Sequence, residues 1–351
     1  MQTFSAGVAH SLFLSSDNVV YGCGSNDSGA IGGIGRSYLL PIQLDFPSEI
    51  CSVSAGNNFS LFLDSECNVW GTGYSICGQL GFIGRATVPK RVENLPAIQT
   101  VHASHNHYSV FLDQDGYVWT CGKSDFGQMG LGHINKQIIP QKINTIPRIR
   151  SVSAGSKHLL LLDEEGTVWG SGNSMYGQVS DCRRNQSTPV KIDLPIPIAS
   201  VSAGNSHSMF LDIEGNVWSS GFNSKGQLGF KNVISNFSFI PVPKMITNIP
   251  KMVDISAGDI TSVLLDETGK PWICEDTGPK ATSLTDIERI DCPLHQLFLD
   301  KQGGTWVKGE NKNGQLGLGD IKSRRFAEIN PHLPSISTGR KNAVKSAMAI
   351  V

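Results

Sequence analysis

Histidines are the residues whose type and spacing come closest to a chemical site, and three lie together in the segment VHASHNHY. His102, His105 and His107 offer imidazole nitrogens at the short spacing that transition-metal sites use. No cysteine or carboxylate follows them until Asp113, and alternation along a strand sends neighbouring side chains to opposite faces. We therefore expect an irregular bend at this segment, and no metal site.

Four further histidines occupy one repeated position, shortly before a tight turn: His10, His158, His207 and His295. The equivalent position holds Phe59, Tyr108 or Thr261 elsewhere in the chain. Because Phe and Thr cannot replace an imidazole in catalysis or metal binding, we expect this position to serve packing or a hydrogen bond.

Motifs that mark an enzyme are missing from the sequence. It has no nucleophile elbow, phosphate-binding loop, HExxH pair or paired carboxylates, and its Gly-x-Gly steps open no helix. The eight cysteines form no C-x-x-C pair, which is typical of free thiols in a reducing compartment. The formal net charge of −1 gives no strong nucleic-acid signal, and no apolar run is long enough for a membrane anchor. We expect a cytoplasmic protein with access to the nucleus and without catalytic residues, metal or cofactor.

The six tryptophans mark a repeat that organises the chain. Each follows an Asp by six positions, and Tyr21 stands in the same place after Ser15. A Gly-Gln pair follows most of these aromatic residues, as in Gly226-Gln227. The repeat anchors are Tyr21, Trp70, Trp119, Trp169, Trp218, Trp272 and Trp306. Their spacing of about 50 residues indicates units that bury their apolar faces only against neighbours, and we expect the anchors to pack between units.

Each repeat reads as four short strands. A Val-Ser-Ala-Gly strand precedes an apolar run, an Asp-x-x-Gly turn, a Val-Trp strand and, after a loop, a segment whose Pro suits a sheet edge. The fold class is therefore all-β, a single seven-bladed β-propeller built from repeats of about 50 residues. The repeats span approximately 4–50, 51–99, 100–148, 149–198, 199–251, 252–288 and 289–335.

Two departures from the repeat concern its later copies. The sixth copy, which contains Trp272, lacks a Gly-Gln-Leu-Gly segment, so we expect its blade to be trimmed. Residues 336–351 begin like a further copy, and we expect them to form ring-closing strands that complete a blade begun at the N-terminus.

The repeat, with its Val-x-Ala-Gly-x-x-His-Ser and Gly-Gln-Leu-Gly segments, resembles that of the regulator of chromosome condensation family over nearly the whole chain. The founding member is an exchange factor for the small GTPase Ran, in which a wedge from one blade acts at the nucleotide site and a basic tail helps to hold chromatin. Here the largest insertion, around 231–241, adds only a few residues, and no basic tail precedes the first repeat. We therefore expect neither feature.

Charged residues fall into two groups at fixed places in the repeat. A propeller would gather each group into a rim that steers a partner of opposite charge, although solvated turns explain the same pattern. The acidic candidates for partner binding lie at the Asp turn: Asp163, Glu164, Glu165, Asp212 and Glu214. The basic candidates follow the Gly-Gln-Leu-Gly segment: Arg85, Lys90, Arg91, Arg183, Arg184, Arg324 and Arg325.

Together these features predict a monomeric, non-catalytic propeller that binds a protein. The partner class that the resemblance favours is a small GTPase, or a component of a ubiquitin or trafficking pathway. Two alternatives stay open: a guanine-nucleotide exchange factor for a Ran-like GTPase, and an inhibitor that covers another protein with the propeller face, as in β-lactamase inhibitory proteins. One scaffold hosts many binding activities, so the fold alone does not choose among them.

Overall fold

In a computed structural model, residues 2–33, 35–231 and 238–336 are described. They form 28 strands and no helix, arranged as seven four-stranded antiparallel sheets. The chain is thus an all-β, seven-bladed propeller, as the repeat predicts. In every sheet the strands follow chain order, and we number the blades 1 to 7 in the same order.

The strands of blades 1, 2 and 3 and the last three strands of blade 7 belong to one of two compact units. Blade 1 contains β1 (Phe4–Ala6), β2 (His10–Leu14), β3 (Val20–Gly24) and β4 (Tyr38–Leu44). Blade 2 contains β5 (Ile50–Ala55), β6 (Phe59–Asp64), β7 (Val69–Ser75) and β8 (Gly84–Arg91). Blade 3 contains β9 (Ile98–Ala103), β10 (Tyr108–Asp113), β11 (Val118–Gly122) and β12 (Gln137–Lys142). Blade 7 contains β25 (Ile287–Asp291), β26 (His295–Asp300), β27 (Thr305–Gly309) and β28 (Arg324–Ile329).

Blades 4, 5 and 6 and the first strand of blade 7 belong to the second unit. Blade 4 contains β13 (Ile149–Ala154), β14 (His158–Asp163), β15 (Val168–Gly172) and β16 (Gln186–Ile192). Blade 5 contains β17 (Ile198–Ala203), β18 (His207–Asp212), β19 (Val217–Phe222) and β20 (Phe239–Met245). Blade 6 contains β21 (Met252–Ala257), β22 (Ser262–Asp266), β23 (Pro271–Glu275) and β24 (Gly278–Ala281). Blade 6 is trimmed as predicted, but it keeps a short fourth strand directly after a tight turn.

The second strand of each blade is the most buried, because its apolar run is covered on both faces. All six residues of β18 are buried, and Phe210 pairs with Trp218 on the neighbouring β19. A tight turn that starts at Asp212 joins these two strands and ends with Gly215 at a positive φ of 82°. Such a φ suits glycine, which explains the Asp-x-x-Gly pattern. We call this end of a blade the turn end, and the opposite end, where a loop joins the third and fourth strands, the loop end.

The core lies between neighbouring blades within each unit. Leu160, Leu162 and Val168 of blade 4 pack with Val201 and Phe210 of blade 5 in one buried cluster. Trp218 packs against this cluster while staying partly exposed. The equivalent aromatic residues Tyr21, Trp70, Trp119 and Trp272 pack in the same way against other clusters. These five aromatic residues thus pack against clusters between neighbouring blades.

Ile336 is the last residue of the predicted ring-closing segment that the structure describes. It is buried in the cluster between blades 7 and 1, and it forms an isolated antiparallel bridge with Ser15. Its amide also donates a hydrogen bond to the carbonyl of Gly303. The four strands of blade 1 all come from the N-terminal part of the chain. Residues 337–351 lie outside the described residues, so the ring-closing strands stay a prediction.

Candidate functional site

The constant spacing between Asp and Trp among the repeats has a structural cause at the turn end. One carboxylate oxygen of Asp212 accepts hydrogen bonds from the amides of Glu214 and Asn216, both at 2.9 Å. The other oxygen accepts the indole N–H of Trp218 at 3.0 Å. All six Asp–Trp pairs form the indole hydrogen bond at 2.8 to 3.0 Å. The Asp therefore fixes the turn and the ring together.

The pKa of Asp266 shows how such a buried carboxylate stays ionised. Burial raises this pKa, but hydrogen bonds from Thr268, Trp272 and the amide of Lys270 outweigh burial and leave the pKa below its usual value. Asp64 has its pKa lowered through the same balance. These carboxylates form a stable part of the fold.

Two of the predicted acidic contact residues are therefore corrected. Asp163 is only 5% exposed and Asp212 is fully buried, because their carboxylates lie inside the turn rather than on its surface. The neighbouring acids Glu164, Glu165 and Glu214 are exposed at the turn ends of blades 4 and 5. The turn end does present negative charge, but the glutamates supply it.

The predicted basic rim on blade 2 is also corrected, because its residues lie at opposite ends of one strand. Arg85 lies at the start of β8, where its Nε–H donates to the carbonyl of Ser28 at the loop end. Lys90 and Arg91 lie at the other end of β8, where Arg91 pairs with Trp70 and donates to the side chain of Asn68. A strand of this length separates the two positions by about 20 Å.

On blade 7 the charge of one predicted basic residue, Arg324, is neutralised. The guanidinium of Arg324 forms ion pairs with Asp320 and Glu328, both at 2.8 Å, and these contacts raise its pKa. Arg325 stacks over the ring of Phe326, which is 74% exposed on the outer strand β28. Blades 2 and 7 therefore do not present the uniformly basic rim that the sequence predicts.

Arg183 and Arg184 are exposed in the loop 173–185 of blade 4, which has an ordered internal scaffold. The hydroxyl of Ser174 donates to the carbonyl of Ser180 at 2.8 Å and accepts the amide of Ser180 at 2.8 Å. The side chain of Gln178 donates to the side-chain oxygen of Asn173 and accepts the amide of Tyr176. These bonds hold the loop in one shape.

An aromatic platform lies beside this loop. Tyr176 stacks on Phe222 of blade 5, with ring centroids 4.8 Å apart. The guanidinium of Arg183 lies 4.6 Å from the centroid of Phe239, and its Nε–H donates to the carbonyl of Met175. The Met175 side chain itself is 55% exposed. Blades 4 and 5 together therefore offer a preformed surface with an apolar centre and a basic border.

The loop end of blade 2 has a related composition. Ile76 and Ile83 are more than half exposed, and the guanidinium of Arg85 lies 5.4 Å from the ring centroid of Tyr74. The hydroxyl of Ser75 donates to the carbonyl of Phe82 and closes this loop. Sequence reasoning missed the apolar residues Ile76, Ile83 and Met175, because each lies within a few positions of a Gly-Gln pair, where a polar loop residue is the usual expectation.

The repeated histidine forms a hydrogen bond between blades, so the predicted packing or hydrogen-bonding role is confirmed. His207 of blade 5 lies 2.8 Å from the hydroxyl of Ser262 in blade 6, and that hydroxyl donates to the carbonyl of Gln227. The serine proton is thereby used, so the Nε2–H of His207 donates to Ser262. Burial lowers the pKa of His207 to about 3, which keeps the ring neutral.

His102, His105 and His107 do not assemble into a metal centre within the described ranges, where no group of three or more His, Cys, Asp or Glu residues could hold an ion. His102 lies on β9, whereas His107 lies in the following bend with a positive φ of 61°. Burial and then the charge of Lys123 lower the pKa of His107.

Comparison with known proteins identifies a matching family and solved structures with a similar fold. The RCC1-like domain family matches residues 1–274, and no curated sequence matches the chain. Human WBSCR16 superposes with a TM-score of 0.80 at 20% identity, covering 89% of this chain and 93% of that one. Yeast RCC1 (Prp20), solved bound to Kap60, has a TM-score of 0.68 at 20% identity, covering 93% and 74%.

A second structure of Prp20p from Saccharomyces cerevisiae, described with its binding to Gsp1p and histones, has a TM-score of 0.67 at 21% identity and covers 93% of this chain and 76% of that one. In the described part of this chain, no helix has the length and apolar character needed to cross a membrane. The seven-bladed architecture agrees with a family match over most of the sequence. The chain belongs to the RCC1-like domain family.

Proposed function

We propose that this chain is a non-catalytic protein-binding propeller that holds its partner on the loop ends of its blades. The observation that carries the proposal is the exposed apolar surface at those ends. Ile76 and Ile83 of blade 2, Met175 of blade 4 and Ile260 of blade 6 are each more than half exposed. Exposed apolar side chains beside arginines and aromatic rings are typical of the energetic centre of a protein interface.

The exposed surface at the turn ends is charged rather than apolar, which supports the loop ends as the binding surface. Their buried Asp residues are used to fix the turns, and Glu164, Glu165 and Glu214 lie over them in solvent. Charged, well-hydrated surfaces of this kind are depleted at the cores of interfaces.

We further propose a small GTPase as the partner class, in the cytoplasm or the nucleus. The support is the family and the described binding of Prp20p to Gsp1p, a small GTPase, at 21% identity. Nucleotide release from a panel of small GTPases loaded with a fluorescent nucleotide, Ran included, tests this class. A stable complex without faster release makes the chain an effector or scaffold, whereas release accelerated by several orders of magnitude makes it an exchange factor. No binding to any GTPase contradicts this partner class and leaves the loop-end proposal to its own test.

Substitution at the two ends of the blades tests the loop-end proposal itself. The protein with Ile76→Asp and Ile83→Asp should lose most of the partner that the wild-type chain captures from an extract, as measured by quantitative mass spectrometry. The matched control is the protein with Glu164→Lys and Glu214→Lys, which changes exposed residues at the turn ends. Capture that survives the isoleucine changes and disappears with the glutamate changes contradicts the proposal.

A further inference from the structure

We propose that the loop ends of blades 4 and 5 dock an acidic segment of a protein partner that carries an aromatic or aliphatic anchor side chain. This inference rests on the proposed function and adds the partner's chemistry and the blades that recognise it.

The charge on this surface points to an acidic partner. Within the described loop-end residues of the two blades, Asp181 is the one acidic side chain. Five basic side chains lie there: Lys157, Arg183, Arg184, Lys225 and Lys231. The turn ends of the same blades carry Glu164, Glu165 and Glu214. An acidic segment is therefore attracted to one end of these blades and repelled from the other.

The basic groups on this surface are available to a partner. Among described residues, Arg183 and Lys225 form no ion pair with a carboxylate, in contrast to Arg324 on blade 7, which is held by Asp320 and Glu328. A carboxylate from a partner can thus pair with Arg183 without first displacing an internal one. Arginine also offers carboxylates a bidentate geometry, which strengthens the contact.

The centre of the surface selects an apolar anchor. The exposed side chain of Met175 lies next to Tyr176, and Tyr176 packs on Phe222 of blade 5. A flexible thioether adapts to aliphatic and aromatic shapes, and the ordered loop around Ser174 reduces the conformational entropy lost on binding. Because the ring of Tyr176 packs on both Phe222 and Phe239, few ring faces remain for stacked bases, which favours a peptide over a nucleic acid.

A fluorescent peptide composed of Asp and Glu with one central Phe tests the proposal on the full chain by fluorescence polarisation at low salt. The protein with Arg184→Glu and Lys225→Glu should bind the peptide at least about 10-fold more weakly than wild type, since charge reversal turns attraction into repulsion. The matched control, with Lys191→Glu and Lys251→Glu at the turn ends of the same blades, has the same change in net charge and should bind like wild type. Met175→Asp should also weaken binding, with an unchanged Tm showing that each variant is folded.

Two results would overturn the inference. One is equal peptide binding by the wild-type protein and the Arg184→Glu, Lys225→Glu protein. The other is tighter binding of a single-stranded oligonucleotide of matched charge than of the peptide. If the peptide fails while the Ile76→Asp, Ile83→Asp protein still loses its captured partner, the proposed function stands and only the partner chemistry is wrong.

Discussion

At the scale of single residues, the buried histidines predict how stability depends on pH. Burial lowers the pKa of His10 to about 4 and that of His207 and His295 to about 3, whereas an unfolded chain has a pKa near 6.5. The unfolded state therefore binds more protons below pH 6.5. The stabilisation is fully present above that pH and is lost as the pH falls towards about 4.

We expect the free energy of unfolding to fall by about 1.4 kcal/mol per pH unit for each such histidine below pH 6. Urea unfolding followed by circular dichroism between pH 7 and pH 4 measures this slope. His207→Phe, which introduces the residue found at the equivalent position 59, should reduce the slope by about 1.4 kcal/mol per pH unit, the contribution of one histidine. A flat profile in the wild-type protein contradicts neutral, buried histidines.

The indole hydrogen bond gives a second residue-scale prediction. Trp218→Phe keeps a ring against the cluster between blades 4 and 5 but leaves the fully buried Asp212 without its indole donor. Asn216 still donates to the same carboxylate oxygen, so we expect only the loss of one hydrogen bond to a charged group, about 1–3 kcal/mol in unfolding free energy. Ring removal in Trp218→Ala should cost more, whereas no loss in Trp218→Phe would mean that packing alone explains the Trp. Both are measured by denaturant unfolding at pH 7.

At the scale of elements, the Asp-x-x-Gly turn sets the register of each central hairpin. Gly166 has a φ of 85°, and a β-carbon there would lie 2.8 Å from Pro197. Gly166→Val combines a strained φ with a steric clash, so we expect it to cost at least about 2 kcal/mol and to lower the Tm. The control Glu164→Val changes an exposed residue of the same turn and should leave the Tm nearly unchanged. An equal Tm for both variants contradicts this account of the turn.

The secondary-structure elements also show which parts of the structure the sequence could predict. The Asp and Trp register identifies the central hairpin of each blade because both partners lie in the same short stretch. The His207–Ser262 bond could not be read in this way, since its partners belong to different repeats and meet only after the blades pack. The sequence also does not show where β8 begins and ends. It therefore predicts one basic rim that includes Arg85 and Arg91, although the strand separates these two residues.

At the scale of the whole molecule, stability depends on contacts between the first and last blades. Ile336 is buried between blades 7 and 1, and Ser16 donates to the carbonyl of Ser335. Deletion of residues 336–351 removes the first of these contacts, so we expect the Tm to fall by several degrees. Ile336→Ala is the smaller companion change, expected to cost about 2–4 kcal/mol. An unchanged melting curve after the deletion would show that this segment does not close the ring.

The fold was therefore predictable from the sequence, whereas the partner surface was only partly so. Repeat period and turn chemistry determine the number of blades. Which charges face a partner depends on local pairing, such as Arg324 with Asp320, and on exposure, such as that of Met175, neither of which a repeat pattern shows.

The most direct test of the central claim is amide hydrogen exchange of this protein with and without its captured partner. We predict slower exchange at the loop ends, in residues 75–84, 173–186 and 222–229, and no change in the turns 163–167 and 212–216. Protection confined to those turns, with the loop ends unaffected, would contradict the proposal that the loop ends bind the partner.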